Sequence, residues 1–122
     1  MYPSGSWSGF WQQEGWGRQP MQAFELQFRH DTVSGGGFDV IGSFRILGEW
    51  ESTNGAMHFV KKYDGAHTVL YSGKPDGEGG IVGTWQLQSS NSGYRGSFAL
   101  RPNLAPSDRL EEVREIKPVK PK

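Results

Sequence analysis

The stretch Gly42-Ser43-Phe44-Arg45-Ile46-Leu47-Gly48-Glu49-Trp50-Glu51-Ser52-Thr53-Asn54-Gly55-Ala56-Met57-His58-Phe59-Val60-Lys61-Lys62-Tyr63-Asp64-Gly65 carries the reading of the fold. It holds two runs, 42–52 and 57–63, in which residues two apart tend to be alike and immediate neighbours differ. Successive side chains of a strand point to opposite faces, so each run reads as a strand with one face inward. Thr53-Asn54-Gly55 between the runs and Asp64-Gly65 after them supply residues that take positive φ readily, as tight hairpins require. No 3.6-residue period runs through the stretch.

The same punctuation continues in both directions. Residues 7–13, 21–30, 33–39, 67–74, 81–88 and 94–101 form six further alternating runs, and Pro75-Asp76-Gly77 is another turn. Eight short strands joined by short links, with no helix between them, predict an all-β, antiparallel up-and-down meander. Left open, such a sheet exposes two unpaired edges; closing it into an eight-stranded barrel over residues 7–101 removes both.

An internal repeat supports closure. Five times a ring stands two residues after a glycine: Gly9/Trp11, Gly42/Phe44, Gly48/Trp50, Gly83/Trp85 and Gly96/Phe98. Each pair shares a strand face. Glycine weakens a strand unless a bend or a close neighbour requires it, and a small coiled barrel requires both. Parity then gives the inner rows: Met57, Phe59, Lys61 and Tyr63; His67, Val69, Tyr71 and Gly73; Ile81, Gly83, Trp85 and Leu87; Tyr94, Gly96, Phe98 and Leu100. The interior thus mixes rings with a few polar groups.

Composition agrees with this class and excludes others. The 122 residues hold 18 Gly, five Trp, four Tyr and seven Phe, with 13 basic residues cancelling 13 acidic ones. Glycine without a period excludes collagen, and so many rings exclude a charged disordered chain. The chain has no cysteine, which removes disulfides, thiolate metal sites and thiol nucleophiles. No apolar run approaches the length of a membrane-spanning helix, and residues 1–6 lack the pattern of a secretory signal. A cytoplasmic location and no membrane partner are the default expectations.

Beyond Pro102 the character changes, dividing the chain into a barrel domain, 1–102, and a C-terminal segment, 103–122. Residues 104–122 contain no ring and no glycine. Asp108 and Glu111 have capping-box spacing, and Leu110, Val113 and Ile116 would form a narrow apolar stripe on a short helix. Pro118 and Pro121 stop it, and Lys117, Lys120 and Lys122 leave a basic tail.

The order of motifs resembles the avidin–streptavidin family of eight-stranded barrels. Gly9-x-Trp11-x-Gln13 is similar to that family's first strand, and the passage from Phe44 to Ser52 to its fourth. Lys62-Tyr63-Asp64-Gly65-Ala66-His67, followed by Tyr71-Ser72-Gly73, resembles the fifth-to-sixth strand passage. Gly83-Thr84-Trp85-Gln86-Leu87-Gln88-Ser89 resembles the seventh strand with its pocket tryptophan. The resemblance implies an avidin- or lipocalin-like binding barrel that associates as a homo-oligomer. It does not imply tight biotin binding. Trp85 is kept, but Gln13 stands for an Asn, Phe38 stands near a Tyr, and Phe59 and Tyr71 replace two Trp. His67 and Val69 replace a Ser and a Thr, and Gly96 replaces an Asp. Each buried ligand group left without its partner costs about 1–3 kcal/mol.

Catalytic and metal chemistry find little support. His30, His58 and His67 share no metal-binding spacing, so no metal is expected. Glu49 and Glu51 lie on one strand face as a glycosidase pair would, but on the outer, solvated side. No nucleophile elbow, phosphate loop or zinc-protease motif occurs, so neither an enzyme nor a cofactor is expected. Residues 1–102 carry eight Lys and Arg against nine Asp and Glu. Lys61, Lys62, Arg95 and Arg101 are scattered, so no nucleic-acid partner is expected. The group Trp7, Phe10, Trp11 and Trp16 reads either as a core plug at one barrel end or as an exposed patch for a partner.

Two functional readings follow. The first is a non-catalytic small-molecule-binding barrel whose site comprises Gln13, Phe59, Lys61, Tyr63, His67, Tyr71 and Trp85. With imidazole, phenol and ammonium donors among rings, that site suits a small planar or weakly anionic ligand. The second is a barrel filled solid by its side chains, acting as a structural or protein-interaction module through its surface.

Overall fold

The computed structural model describes residues 2–13, 15–65, 67–88 and 94–103, the side chains of 22 and 23 excepted. Eight strands follow one another: β1 (Gly5–Gln13), β2 (Gly17–Arg29), β3 (Thr32–Phe38), β4 (Ser43–Trp50), β5 (Met57–Tyr63), β6 (Thr68–Pro75), β7 (Ile81–Leu87) and β8 (Arg95–Pro102). Each pairs antiparallel with the next, and β8 returns to β1 through pairs running from Trp7↔Pro102 to Gln13↔Gly96. The barrel is closed, all-β and up-and-down, as the alternation predicts. The short C-terminal helix and tail lie outside the described residues. Among the described residues no helix is long and apolar enough to cross a membrane.

Inward parity agrees with the sequence pattern. In β5, Met57, Phe59, Lys61 and Tyr63 are buried while His58 and Lys62 are exposed. The Asp64-Gly65 turn has Gly65 at φ 67°, a conformation that favours glycine. Residues 57–63 keep their expected bounds, most other strand ends shift by one or two residues, and the start of β2 shifts by four. His30, expected as the last residue of a strand, takes φ 46° in the turn before Asp31. β2 begins at Gly17, because pairing with β1 (Pro20↔Phe10, Gly17↔Gln13) carries the ladder through residues whose local preference is for a turn.

Four of the five glycine–ring pairs lie in strands, with the glycine against a neighbouring strand; Gly42 instead sits in the β3–β4 turn. Gly96 shows what the missing side chain permits. A Cβ there would stand 2.7 Å from Trp85 Nε1 and overlap the Gln12 carbonyl, to which that indole donates at 3.1 Å. Gly96 thus leaves room for the Trp85 ring of the neighbouring strand.

The two ends of the barrel differ. At the end carrying the β2–β3, β4–β5 and β6–β7 links, Tyr2, Trp7, Phe28 and Trp50 interlock with centroid separations of 5.2–6.1 Å. Tyr2 donates its hydroxyl to the Gly55 carbonyl at 2.8 Å, so the chain start is drawn across this end as a stopper. The four-residue aromatic group of the sequence does not form one plug. Trp7 joins the stopper, and Trp11 packs edge-on to Trp85 at 5.7 Å near the opposite end. Phe10 carries the Arg18 guanidinium over its ring at 4.1 Å, and Trp16 is 68% exposed. Alternation and a bulge between Trp7 and Gly9 spread these residues over both faces of β1 and the following turn.

Candidate functional site

The opposite end, across which no comparable stopper lies among the described residues, is the mouth of the barrel, where β1 leads to β2, β3 to β4, β5 to β6 and β7 to β8. A cavity of about 370 Å³ opens there. Its inner wall is made by Trp11 and Trp85, set at 85° to one another, with Val69 and Leu87 beside them. Trp16, Ile41 and Tyr94 form the outer wall, each from a different strand or link of the rim and each still 47–68% exposed. Polar groups enter from Gln13, Tyr63 and His67.

Of the seven residues expected to bind a ligand, Gln13, Tyr63, His67 and Trp85 meet at this cavity. Phe59, Lys61 and Tyr71 do not line it. Phe59 and Tyr71 are buried deeper, their rings stacked at 4.8 Å and both edge-on to Phe98. His67 follows the expected parity but is exposed, because it lies at the mouth before β6 begins. Phe38, placed by family resemblance near a pocket tyrosine, is 57% exposed and does not line the cavity. Glu49 and His58 pair across β4 and β5 on the outer, exposed face.

Lys61 is paired in the interior and does not reach the cavity. Its ammonium is 1% exposed and lies 3.1 Å from Asp39 Oδ2, on a carboxylate whose side chain is fully covered. The Tyr63 hydroxyl donates to the same oxygen at 2.6 Å, and the Ile41 amide donates to Oδ1 at 2.9 Å. The ammonium also contacts Met21 Sδ at 3.6 Å and stands 4.8–5.2 Å from the ring centroids of Phe44, Tyr63 and Tyr71. Asp39 thereby ties the β3–β4 link to the interior, aided by reciprocal backbone bonds with Gly42.

Two of the expected ligand donors, the Lys61 ammonium and the Tyr63 phenol, are thus engaged within the fold. A buried ion pair needs its remaining lone pairs and protons satisfied, and here phenol, amide, sulfur and three rings do so. Asp39 was not among the residues the sequence pointed to. One signal was available: a lysine in an otherwise apolar inward row requires a buried counter-charge. Only closure of the barrel identifies which of the acids supplies it.

Burial lowers the Lys61 pKa to about 8, against the opposing pull of the Asp39 charge and hydrogen bond. Burial first, and Asp39 second, push the Tyr63 and Tyr71 hydroxyls far above the usual 10.0. The signs fix a pH profile. Between about pH 8 and 10.5 the native chain releases the Lys61 proton before the unfolded chain does, so Lys61 alone makes stability rise with pH. Above about pH 10 the unfolded chain loses phenol protons that native Tyr63 and Tyr71 retain, so stability falls. Melting temperature is expected to hold or rise up to about pH 10 and then drop, with tyrosinate absorbance appearing as the protein unfolds. A fall that begins near pH 8 would contradict the buried pair.

Among the described residues no three His, Cys, Asp or Glu side chains gather as a metal-binding group. No family model, curated protein or solved structure matches the chain.

Proposed function

We propose that this protein is a non-catalytic barrel that binds a small molecule in its mouth. The observation that carries the reading is the asymmetry of the two ends. Tyr2, Trp7, Phe28 and Trp50 stopper one end, whereas the other keeps a ring-lined cavity of about 370 Å³. That volume lies within the usual range for small-ligand sites, about 300–1,000 Å³, and apolar walls with a few converging polar groups are their common character. A barrel serving only as a filled scaffold has no physical need for Trp16, Ile41 and Tyr94 to gather in partial exposure around an opening. The avidin-like order of sequence motifs supports the same role for Trp85 as a cavity wall. Biotin itself is a poor candidate, since Gln13, Phe38 and Gly96 stand where the family places polar contacts.

A fragment screen by ligand-observed NMR, repeated on Trp85→Ala, tests the proposal. Hits are expected for the wild-type protein and are expected to be lost or weakened at least about tenfold in the variant, consistent with loss of a buried ring contact. A screen without hits, or hits indifferent to Trp85, would favour the surface-acting module.

A further inference from the structure

From the same mouth cavity, and resting on the binding role proposed above, we infer the ligand class: an uncharged, flat aromatic molecule rather than an anion. Apart from the polar groups of Gln13, Tyr63 and His67, rings and aliphatic side chains form the walls, and among the described residues no Lys, Arg, Asp or Glu lines the cavity. The nearest interior cation, Lys61, is not available to a ligand. Its ammonium is 1% exposed, is paired with Asp39 and is surrounded by Met21 and three rings.

Tyr63 reinforces the selection. This residue lines the cavity, yet its proton is directed to Asp39 at 2.6 Å. The phenol therefore offers a ligand only the lone pairs of its oxygen. A carboxylate entering the cavity would lose its hydration, find no Lys or Arg and only the exposed His67 imidazole at the rim, and approach an oxygen that is hydrogen-bonded to a buried carboxylate. Each effect opposes anions. An uncharged aromatic ring meets none of these costs. It can pack into the right-angled corner between Trp11 and Trp85, where edge-to-face and offset contacts are both open to it. It would also cover Trp16, Ile41 and Tyr94, which are exposed at the rim.

Three probes of related size separate the alternatives: 2-acetylnaphthalene (flat, neutral), 2-naphthoate (same frame, anionic) and 1-decanol (neutral, aliphatic). Binding is measured at neutral pH by calorimetry on the full chain. The acetyl compound is expected to bind at least about tenfold more tightly than either of the others. Placing a cation on the wall with His67→Arg, an exposed position, is expected to narrow the gap between naphthoate and the acetyl compound by about fivefold or more. Naphthoate binding as tightly as its neutral counterpart in the wild-type protein would overturn the inference. So would a preference for decanol, a gap unmoved by His67→Arg, or silence of all three probes. The fragment screen distinguishes the failures. Hits there with the wrong preference here sink the ligand class alone, whereas an empty screen sinks the binding role as well.

Discussion

Replacing Lys61 with methionine is expected to destabilise the barrel by about 3–5 kcal/mol, the usual cost of removing one partner from a buried ion pair. The substitution keeps the length and apolar character of the stem, so loss of packing is a minor part of the effect. What remains is Asp39, its side chain fully covered, with only the Tyr63 hydroxyl and the Ile41 amide to satisfy a negative charge. Removing the charge on both sides is a milder change. In the Lys61→Met/Asp39→Asn double variant the amide oxygen can still accept from the Ile41 amide while the NH2 group donates to the Tyr63 hydroxyl oxygen, and more than half of the lost stability is expected to return. Urea denaturation of the wild type, both single variants and the double variant gives the coupling energy directly. A cost below about 1 kcal/mol for Lys61→Met would mean that the pair is not structurally required.

Trp7→Ala is expected to be comparably severe, about 3–5 kcal/mol, through the cavity it leaves behind. Trp7 is fully buried, lies edge-on to Tyr2 at 6.1 Å and tilts against Phe28 at 5.7 Å. Its indole also donates to the Pro3 carbonyl at 2.9 Å, fastening the chain start over the stoppered end. Trp7→Phe keeps a ring in the stopper but loses that hydrogen bond and some volume, and should cost about 1–2 kcal/mol. Chemical denaturation of the two variants checks the order. If Trp7→Ala and Trp7→Phe cost the same, the hydrogen bond to Pro3 rather than ring packing would hold this end closed. The binding proposed for the mouth should survive in both variants wherever they remain folded.

The strands were legible because the signal that marks them is local. Residues 57–63 alternate in the sequence and alternate in burial, and the two patterns coincide residue for residue at Met57, Phe59, Lys61 and Tyr63. Turn chemistry was equally local at Asp64-Gly65. The boundaries at residues 17–20 were not legible, since Gly17 and Pro20 carry turn preferences that pairing with β1 overrides. Candidate site residues divide by the same logic. Parity placed Tyr63, His67 and Trp85 on inward rows. It could not say that Phe59 and Tyr71 stack deep in the barrel while Tyr63, His67 and Trp85 reach the cavity, because depth along the barrel depends on strand stagger.

The period-two pattern, the turn residues and the glycine–ring pairs were therefore enough for the class of fold, the number of strands and the face on which each residue lies. They act between residues a few positions apart, or between neighbouring strands already aligned by their turns. Three features required the closed barrel. Asp39 and Lys61 are 22 positions apart and pair only because β3 and β5 lie on either side of β4, their side chains meeting in the interior. Tyr2 closes one end by reaching Gly55, 53 positions away. The open mouth exists because nothing comparable crosses the other end among the described residues. Long-range meetings of this kind follow from closure and stagger of the whole sheet, and no local preference in the chain encodes them.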